Sequence, residues 1–394
     1  MRSVLLDFWL QLSNWQLDSC LLLAMLLMVA HQLYHYLRYM AGVLWEQLNT
    51  RKQLHSNEAI PTLPTISVIV CARNERDNLR DYLHTLLNQD YPCFEVIVVD
   101  DGSEDQTTMI LEQYARQYTN FYRTFVPREA RVISSKKLAL TIGAKAAHNE
   151  CLVLTDADCR PESRYWLREM ASGFTGGKTE VVLGFSAYFE KEGLLNGLIC
   201  YDTLFTGLQY LGMARAGYPY MGVGRNLAYR RDTFFNNNGF QGLLGERAGD
   251  DDLFVNKVAN KNNTSIVCSK ESVVWSIPKT TWRDWLHQKR RHLSVSPHYN
   301  INSKLRLVVE PMTRGMMYLL LILLLAFGDG LMGCAALLLF VIRLIIQLLV
   351  MNLSARRLGL QRHGLEIICY DIALPIINLY MLCTQSFRKQ PIYW

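Results

Sequence analysis

The stretch that decides the fold is Cys151-Leu-Val-Leu-Thr-Asp-Ala-Asp158, a short apolar run that ends abruptly in two carboxylates one residue apart. Such a run between polar segments fits a strand buried on both faces of a parallel sheet. Open α/β sheets gather their ligands at the carboxyl ends of their strands, which is where Asp156 and Asp158 stand. Hard oxygen ligands in this pattern suit Mg²⁺ or Mn²⁺, ions that take one or two protein carboxylates and keep phosphate oxygens and water. Asp-x-Asp is also ordinary turn and helix-cap chemistry, so its meaning depends on the segments around it.

Working outward, Thr65–Cys71 (Thr-Ile-Ser-Val-Ile-Val-Cys) and Phe94–Asp100 (Phe-Glu-Val-Ile-Val-Val-Asp) are further β-branched runs, and another strand is expected near Phe121–Val126. Helical stretches fall between them at Asn78–Leu87, Gln106–Gln117 and Lys137–His148, the second with Asp105 as its N-cap. This alternation predicts an α/β fold, a mainly parallel, Rossmann-like sheet with helices on both faces.

Half of the 394 residues are hydrophobic, and they crowd toward the two ends of the chain. That distribution predicts a globular domain held at a membrane by one N-terminal and two or three C-terminal transmembrane helices. Trp15–Leu37 reads as a retained anchor, since neither a basic leading segment nor a small-residue cleavage site marks a signal peptide. Met316–Phe327, beginning near Glu310, and Leu331–Met351 read as spans, with Leu365–Cys383 a weaker third. Arg343 falls inside the second of these, where an arginine needs a partner; Asp371 or a lipid phosphate would serve. Leu194–Met213 reads equally as an amphipathic helix at the membrane face or as a core helix. The expected organisation is therefore an anchor and juxtamembrane segment over residues 1–52, a linker over 53–64, a globular α/β domain over 65–303 and a membrane domain over 304–394.

The 41 basic residues exceed the 35 acidic ones by six, and many flank the apolar segments, at Arg38–Lys52, Arg283–Arg291 and Arg356–Arg362. This placement points to anionic lipid headgroups rather than nucleic acid. Arg38, Arg51 and Lys52 follow the first span, so the positive-inside rule puts the domain after it on the cytoplasmic side of an inner or plasma membrane. Ten cysteines without a Cys-x-x-Cys pair read as free thiols of a reducing compartment.

Four clusters carry the chemistry. Ala72-Arg-Asn74-Glu75 directly follows the first strand, and Asp100-Asp101-Gly-Ser follows the next. Side chains leaving adjacent parallel strands converge on one crevice, where carboxylates and amides can hold the uracil edge and ribose hydroxyls of a nucleotide. Gly249-Asp-Asp-Asp252 comes later, then Gln288-Lys-Arg-Arg-His292 on a helix with Trp282 and Trp285. Gly222-Val-Gly-Arg-Asn-Leu-Ala-Tyr229 reads as a loop whose glycines allow close backbone approach to a ligand, or as an ordinary turn before a strand. Taken with Asp156-Ala-Asp158, these motifs resemble the membrane-anchored family 2 glycosyltransferases with a GT-A fold. That group includes ceramide glucosyltransferases and the catalytic parts of cellulose, chitin and hyaluronan synthases. The resemblance covers roughly Thr65–Tyr299.

The resemblance implies a mixed, mainly parallel GT-A sheet and an inverting transfer from a nucleotide sugar, of UDP-sugar type, to a lipid or glycan acceptor at the bilayer. It implies that Ala72, Asn74, Glu75 and Asp101 meet the nucleotide with Asp100 in support, and that Asp156 and Asp158 hold Mg²⁺ or Mn²⁺, Asp158 more directly. Asp250-Asp251 take the place of the family's late Glu-Asp, which makes Asp251 the general base, with a slip of one residue open within Asp250–Asp252. Gln288 and Arg291 match Gln-x-x-Arg-Trp, and Arg291 with Lys137 would stabilise the departing diphosphate. His292 replaces the tryptophan that helps hold the growing polymer in processive synthases, which favours single additions. A processive polysaccharide synthase subunit and an inactive nucleotide-sugar-binding scaffold are the other readings.

Overall fold

Seven consecutive residues of β1 (Ile66–Ala72) are buried, and the strand's neighbours explain why its sequence does not alternate. In the computed structural model, which describes residues 2–46, 63–127, 135–175, 177–243 and 248–385, β1 lies between β2 (Phe94–Asp100) and β4 (Cys151–Asp156), parallel to both. Ile69, Cys71, Ile97, Val99, Leu152 and Leu154 enter one core cluster, and Val68, Val70, Val96, Val98, Cys151 and Val153 the other. Successive side chains of a strand point to opposite faces, so a sheet covered on both faces needs apolar residues at every position.

The remaining strands, in chain order, are β3 (Phe121–Phe125), β5 (Cys159–Pro161), β6 (Val181–Leu183), β7 (Ser186–Tyr188), β8 (Leu227–Arg230), β9 (Thr264–Ile266) and β10 (Val274–Ser276). The main sheet runs β3-β2-β1-β4-β8-β6-β9, and β5-β10-β7 form a smaller one. β8 is antiparallel to β4 and β6, while the other main-sheet pairs are parallel. The sheet is therefore mixed and mostly parallel, as expected. Helices Arg76–Leu87, Thr107–Gln117 and Ser135–Ala146 fall within two residues of their expected ends. The N-cap of the second is Gln106 rather than the expected Asp105, which stands one residue earlier and accepts the Thr107 N–H on Oδ1 at 2.9 Å.

Among the described residues three helices are long and apolar enough to cross a membrane: Gln16–Glu46, Ile301–Phe327 and Gly330–Leu358. This is one N-terminal and two C-terminal helices; Glu366–Gln385, the weaker third of the sequence reading, is a helix but not among them. Leu27, Ile322 and Leu338 are exposed along the outer faces of the three, as lipid contact requires. Asp18 accepts the Asp329 N–H at 2.8 Å, joining the first span to the turn between the other two. At the opposite end Arg357 donates to the Leu44 carbonyl at 2.7 Å.

Arg343 does find Asp371: Nη1 meets Oδ2 at 2.7 Å, and both side chains are fully buried. Arg314 donates to the other carboxylate oxygen at 2.9 Å and to Glu310 Oε2 at 3.1 Å. Gln347 and the Tyr201 hydroxyl donate to the same Oδ1, at 3.0 and 3.2 Å. Tyr201 belongs to the helix Leu194–Arg215, which is a core element rather than an interfacial one. Leu198, Leu204, Leu208, Leu211 and Met213 are all buried, and the helix lies between the strands and the long apolar helices. Apart from residues 63 and 64, the expected linker 53–64 lies outside the described residues.

Candidate active site

Register sets the site. β1 pairs Ala72 with Asp100 of β2 and Cys71 with Asp156 of β4, so three strands release their functional loops side by side. Asn74, at φ 56°, stands in the left-handed region that Asn tolerates better than most residues. Its N–H donates to Ser103 Oγ at 2.9 Å and its Oδ1 accepts the Glu104 N–H at 2.8 Å, which locks the β1 loop to the β2 loop. Asp100 acts inside its loop, accepting the Ser103 N–H at 2.8 Å and the Thr108 hydroxyl at 2.9 Å. Asp101 is buried beside β1, its N–H on the Ala72 carbonyl. Burial, reinforced by the charges of Asp158 and Asp156, holds Glu75 above the ordinary carboxylate range despite a hydrogen bond from Asn78.

Donor atoms of Asp156, Asp158 and Cys159 lie within 4.8 Å of one another. Ser276 donates to Asp158 Oδ2 at 3.1 Å, and the Cys159 thiol donates to Oδ1 at 3.3 Å. Burial and the neighbouring charge of Asp156 push the Asp158 carboxyl up. The arrangement fits one divalent ion, with oxygen donors of the kind Mg²⁺ and Mn²⁺ prefer. For Asp156 burial acts upward, but Lys136, Arg225 and Arg291 outweigh it and the carboxyl is lowered.

The lysine at this cluster is Lys136. Its Nζ lies 2.9 Å from Asp156 Oδ1 and 3.6 Å from Asp250 Oδ2, and these carboxylates hold it charged against the effect of burial. Lys137, the residue expected here, is buried with Nζ on the Ala248 carbonyl at 2.9 Å, so it supports the segment that leads to Asp250. Adjacent helical positions point about 100° apart, at 3.6 residues per turn, and only one of the pair can face the cleft. Asp251 caps the helix Asp252–Val258. Its Oδ2 accepts the Gly224 N–H at 2.6 Å and its Oδ1 the Asp252 N–H at 2.9 Å. Burial and Asp250 raise its pKa. A Cβ at position 224 would come 3.2 Å from that carboxylate, so the Gly222–Tyr229 loop serves the acidic cluster directly.

Gln288 donates to the Tyr188 hydroxyl at 2.8 Å from the helix Trp282–Leu293. Arg291 is exposed on the same helix, its charge among those that lower Asp156. Arg225, Tyr188 and Ser276 were not singled out from sequence. The Arg225 guanidinium lies 4.3 Å from the centre of the Tyr188 ring, and its Nη1 is buried without a hydrogen-bond partner among the described residues. The position of Arg225 inside the glycine-bounded loop was the available signal; Tyr188 and Ser276 come from three-residue strands that carry none.

Residues 67–234 match the family described as Glycosyl transferase family 2. The chain is 32% identical to Glycosyltransferase AglE of Haloferax volcanii over 125 residues, which are 31% of this chain and 40% of that one. It is 30% identical to the Beta-monoglucosyldiacylglycerol synthase of Trichormus variabilis over 115 residues, 29% of this chain and 24% of the relative. The matched stretches thus span well under two thirds of these relatives. The fold is similar to that of the mannosyltransferase PcManGT from Pyrobaculum calidifontis, solved with GDP-Man and Mn²⁺, at a TM-score of 0.54 and 19% identity over 91% of this chain and 99% of that one. Residues 67–234 thus match a family 2 glycosyltransferase domain, in a chain whose mixed, mostly parallel sheet is similar to that of a GT-A enzyme and is joined to helices long and apolar enough to cross a membrane.

Proposed function

We propose that the protein is an inverting, metal-dependent glycosyltransferase that moves one sugar from a nucleotide donor, of UDP-sugar type, to a lipid acceptor at the membrane. The observation that carries this reading is Lys136, held between Asp156 on one side and Asp250 on the other. On this reading Asp156 would serve a metal–diphosphate position, and Asp250 would serve the acceptor.

Inverting transfer is a single displacement. The acceptor oxygen bonds to the anomeric carbon as the bond from that carbon to the diphosphate oxygen breaks, and the acceptor's proton goes to a base. We assign the base to Asp250, the neighbour of Asp251 within the register left open above. Both oxygens of Asp251 already accept backbone N–H groups, whereas Asp250 lies beside Lys136 at the cleft. Lys136 and Arg291 present positive charge to the departing diphosphate. Asp156 and Asp158, the latter oriented by Ser276, would hold Mg²⁺ or Mn²⁺, and a bound ion supplies Lewis-acid stabilisation of the phosphate oxygens. Ala72, Asn74, Glu75 and Asp101 line the nucleotide end of the same crevice, with Asp100 shaping its loop.

The lipid acceptor follows from the helix that bears Gln288 and Arg291, which packs against Glu366–Gln385 of the membrane domain and exposes Trp282. The name of the Trichormus relative agrees with a lipid product. Arg356 and Arg357 lie at the catalytic end of the helices, where Arg357 reaches Cys268; by the positive-inside rule that end is cytoplasmic. The test is detergent-solubilised full-length protein given radiolabelled UDP- and GDP-sugars with extracted membrane lipid. Label should enter the lipid fraction from a UDP-sugar, vanish with EDTA and return with Mn²⁺. EDTA-insensitive transfer overturns the metal assignment, and label in long polymer favours the processive reading.

A further inference from the structure

The helix Trp282–Leu293 carries Gln288 and Arg291 over the cleft, yet of its residues Trp285 alone is buried. Trp285 and the partly buried Leu286 seat it on the core and it lies against Glu366–Gln385, and polar contacts fix its placement further. Gln288 holds the Tyr188 hydroxyl. A second polar anchor is Lys289, whose Nζ lies 2.6 Å from Asp202 Oδ2; the two side chains are only 12% and 19% exposed. Solvated ion pairs contribute little, but one this enclosed loses much of its competition from water.

Asp202 follows Tyr201 on the Leu194–Arg215 helix. The Tyr201 hydroxyl donates to Asp371 and accepts from Gln347 at 3.0 Å, inside the membrane domain's buried cluster. Neighbouring side chains on a helix diverge by about 100°, so a single turn grips the active-site helix with one residue and the membrane helices with the other. Neither Asp202 nor Lys289 has a part in the transfer chemistry above.

We infer that Asp202 and Lys289 are positioning residues: their ion pair sets where Gln288 and Arg291 stand over the cleft and ties that placement to the membrane domain through Tyr201. The inference rests on the proposed transferase reading for its kinetic consequence, and on geometry alone for its structural one.

The experiment compares full-length detergent-solubilised wild type with Asp202→Asn, Lys289→Met and the reversed pair Asp202→Lys with Lys289→Asp. Hydrogen exchange of the 282–293 amides and transfer kinetics are both read. Either single variant should exchange those amides about ten-fold faster while β1 to β4 stay unchanged, and should lower kcat about ten-fold at an unaltered donor KM. The reversed pair should recover both. Wild-type exchange and kcat in the single variants overturn the inference, as does a reversed pair that recovers neither. Should wild type itself transfer no sugar, the transferase reading fails, while the exchange measurement still decides whether the pair holds the helix.

Discussion

Lys136 and Lys137 are adjacent and chemically identical, and only one of them faces the acidic cluster. The Asp250-Asp251-Asp252 run divides in a similar way: one carboxylate beside Lys136, one spent on capping, one buried. Asp250→Asn should therefore keep donor binding and thermal stability while kcat falls about 10²–10⁴-fold. Asp251→Ala should instead lower the melting temperature, a cap being worth about 1 kcal/mol. If Asp251→Asn loses transfer at wild-type donor affinity and Asp250→Asn does not, the base returns to Asp251. Asp252 is held well above its usual pKa by burial and by Asp251, and its Oδ1 lacks a hydrogen-bond partner among the described residues. The unfolded chain ionises this group near pH ~4, so the stability it contributes is complete below that pH and is lost as pH rises through its folded value. Asp252→Asn should raise the melting temperature at neutral pH and flatten its decline; curves that stay parallel from acid to neutral pH refute the charge assignment. The carboxylates were legible because strand ends and Asp-x-Asp mark them. The choice of Lys136 was not, since sequence does not fix helical phase to one residue. Arg225 and Tyr188 meet only through the fold.

At the level of elements, β1, β2 and β4 were legible because a strand buried on both faces must be apolar throughout. The three-residue strands β6, β7, β9 and β10 were not, as a run that short has no periodicity and takes its geometry from its partners. The Leu194–Arg215 helix was ambiguous for a different reason: apolar residues mixed with Asp202, Thr203 and Thr206 suit a core helix and an interfacial one alike. Close approach resolves it. A Cβ at Gly212 would stand 1.8 Å from the Tyr39 carbonyl oxygen, a backbone atom of the N-terminal anchor. Gly212→Ala should therefore destabilise the solubilised protein by at least the ~1–3 kcal/mol typical of overpacking, read as a lower melting temperature. An unchanged value would mean that anchor and catalytic helix are not in this contact.

Across the whole molecule, the bundle of long apolar helices is closed by Asp371, which receives both Arg314 and Arg343. That Arg343 required a partner was plain from its place in an apolar segment; that Arg314, Tyr201 and Gln347 converge on the same carboxylate depends on packing that no local pattern encodes. Removing one partner of a buried ion pair costs about 3–5 kcal/mol, so Asp371→Asn should lower the melting temperature sharply, and the catalytic sheet should lose protection along with the helices because Tyr201 links them. Loss confined to the helices would separate the two parts.

The cluster also imposes an order on synthesis. Gln32, in the first helix, and Arg343 are bonded to each other at 3.1 Å, but the carboxylate that balances Arg343 is made after both. A nascent chain therefore holds the Arg343 guanidinium in apolar surroundings without its carboxylate until residue 371 leaves the ribosome, whereas Arg314 already has Glu310 one turn before it. Chains stopped at residue 364 should be cleared by membrane proteases faster than the full-length protein, and a pulse-chase that finds equal lifetimes would show that the early helices tolerate that charge alone.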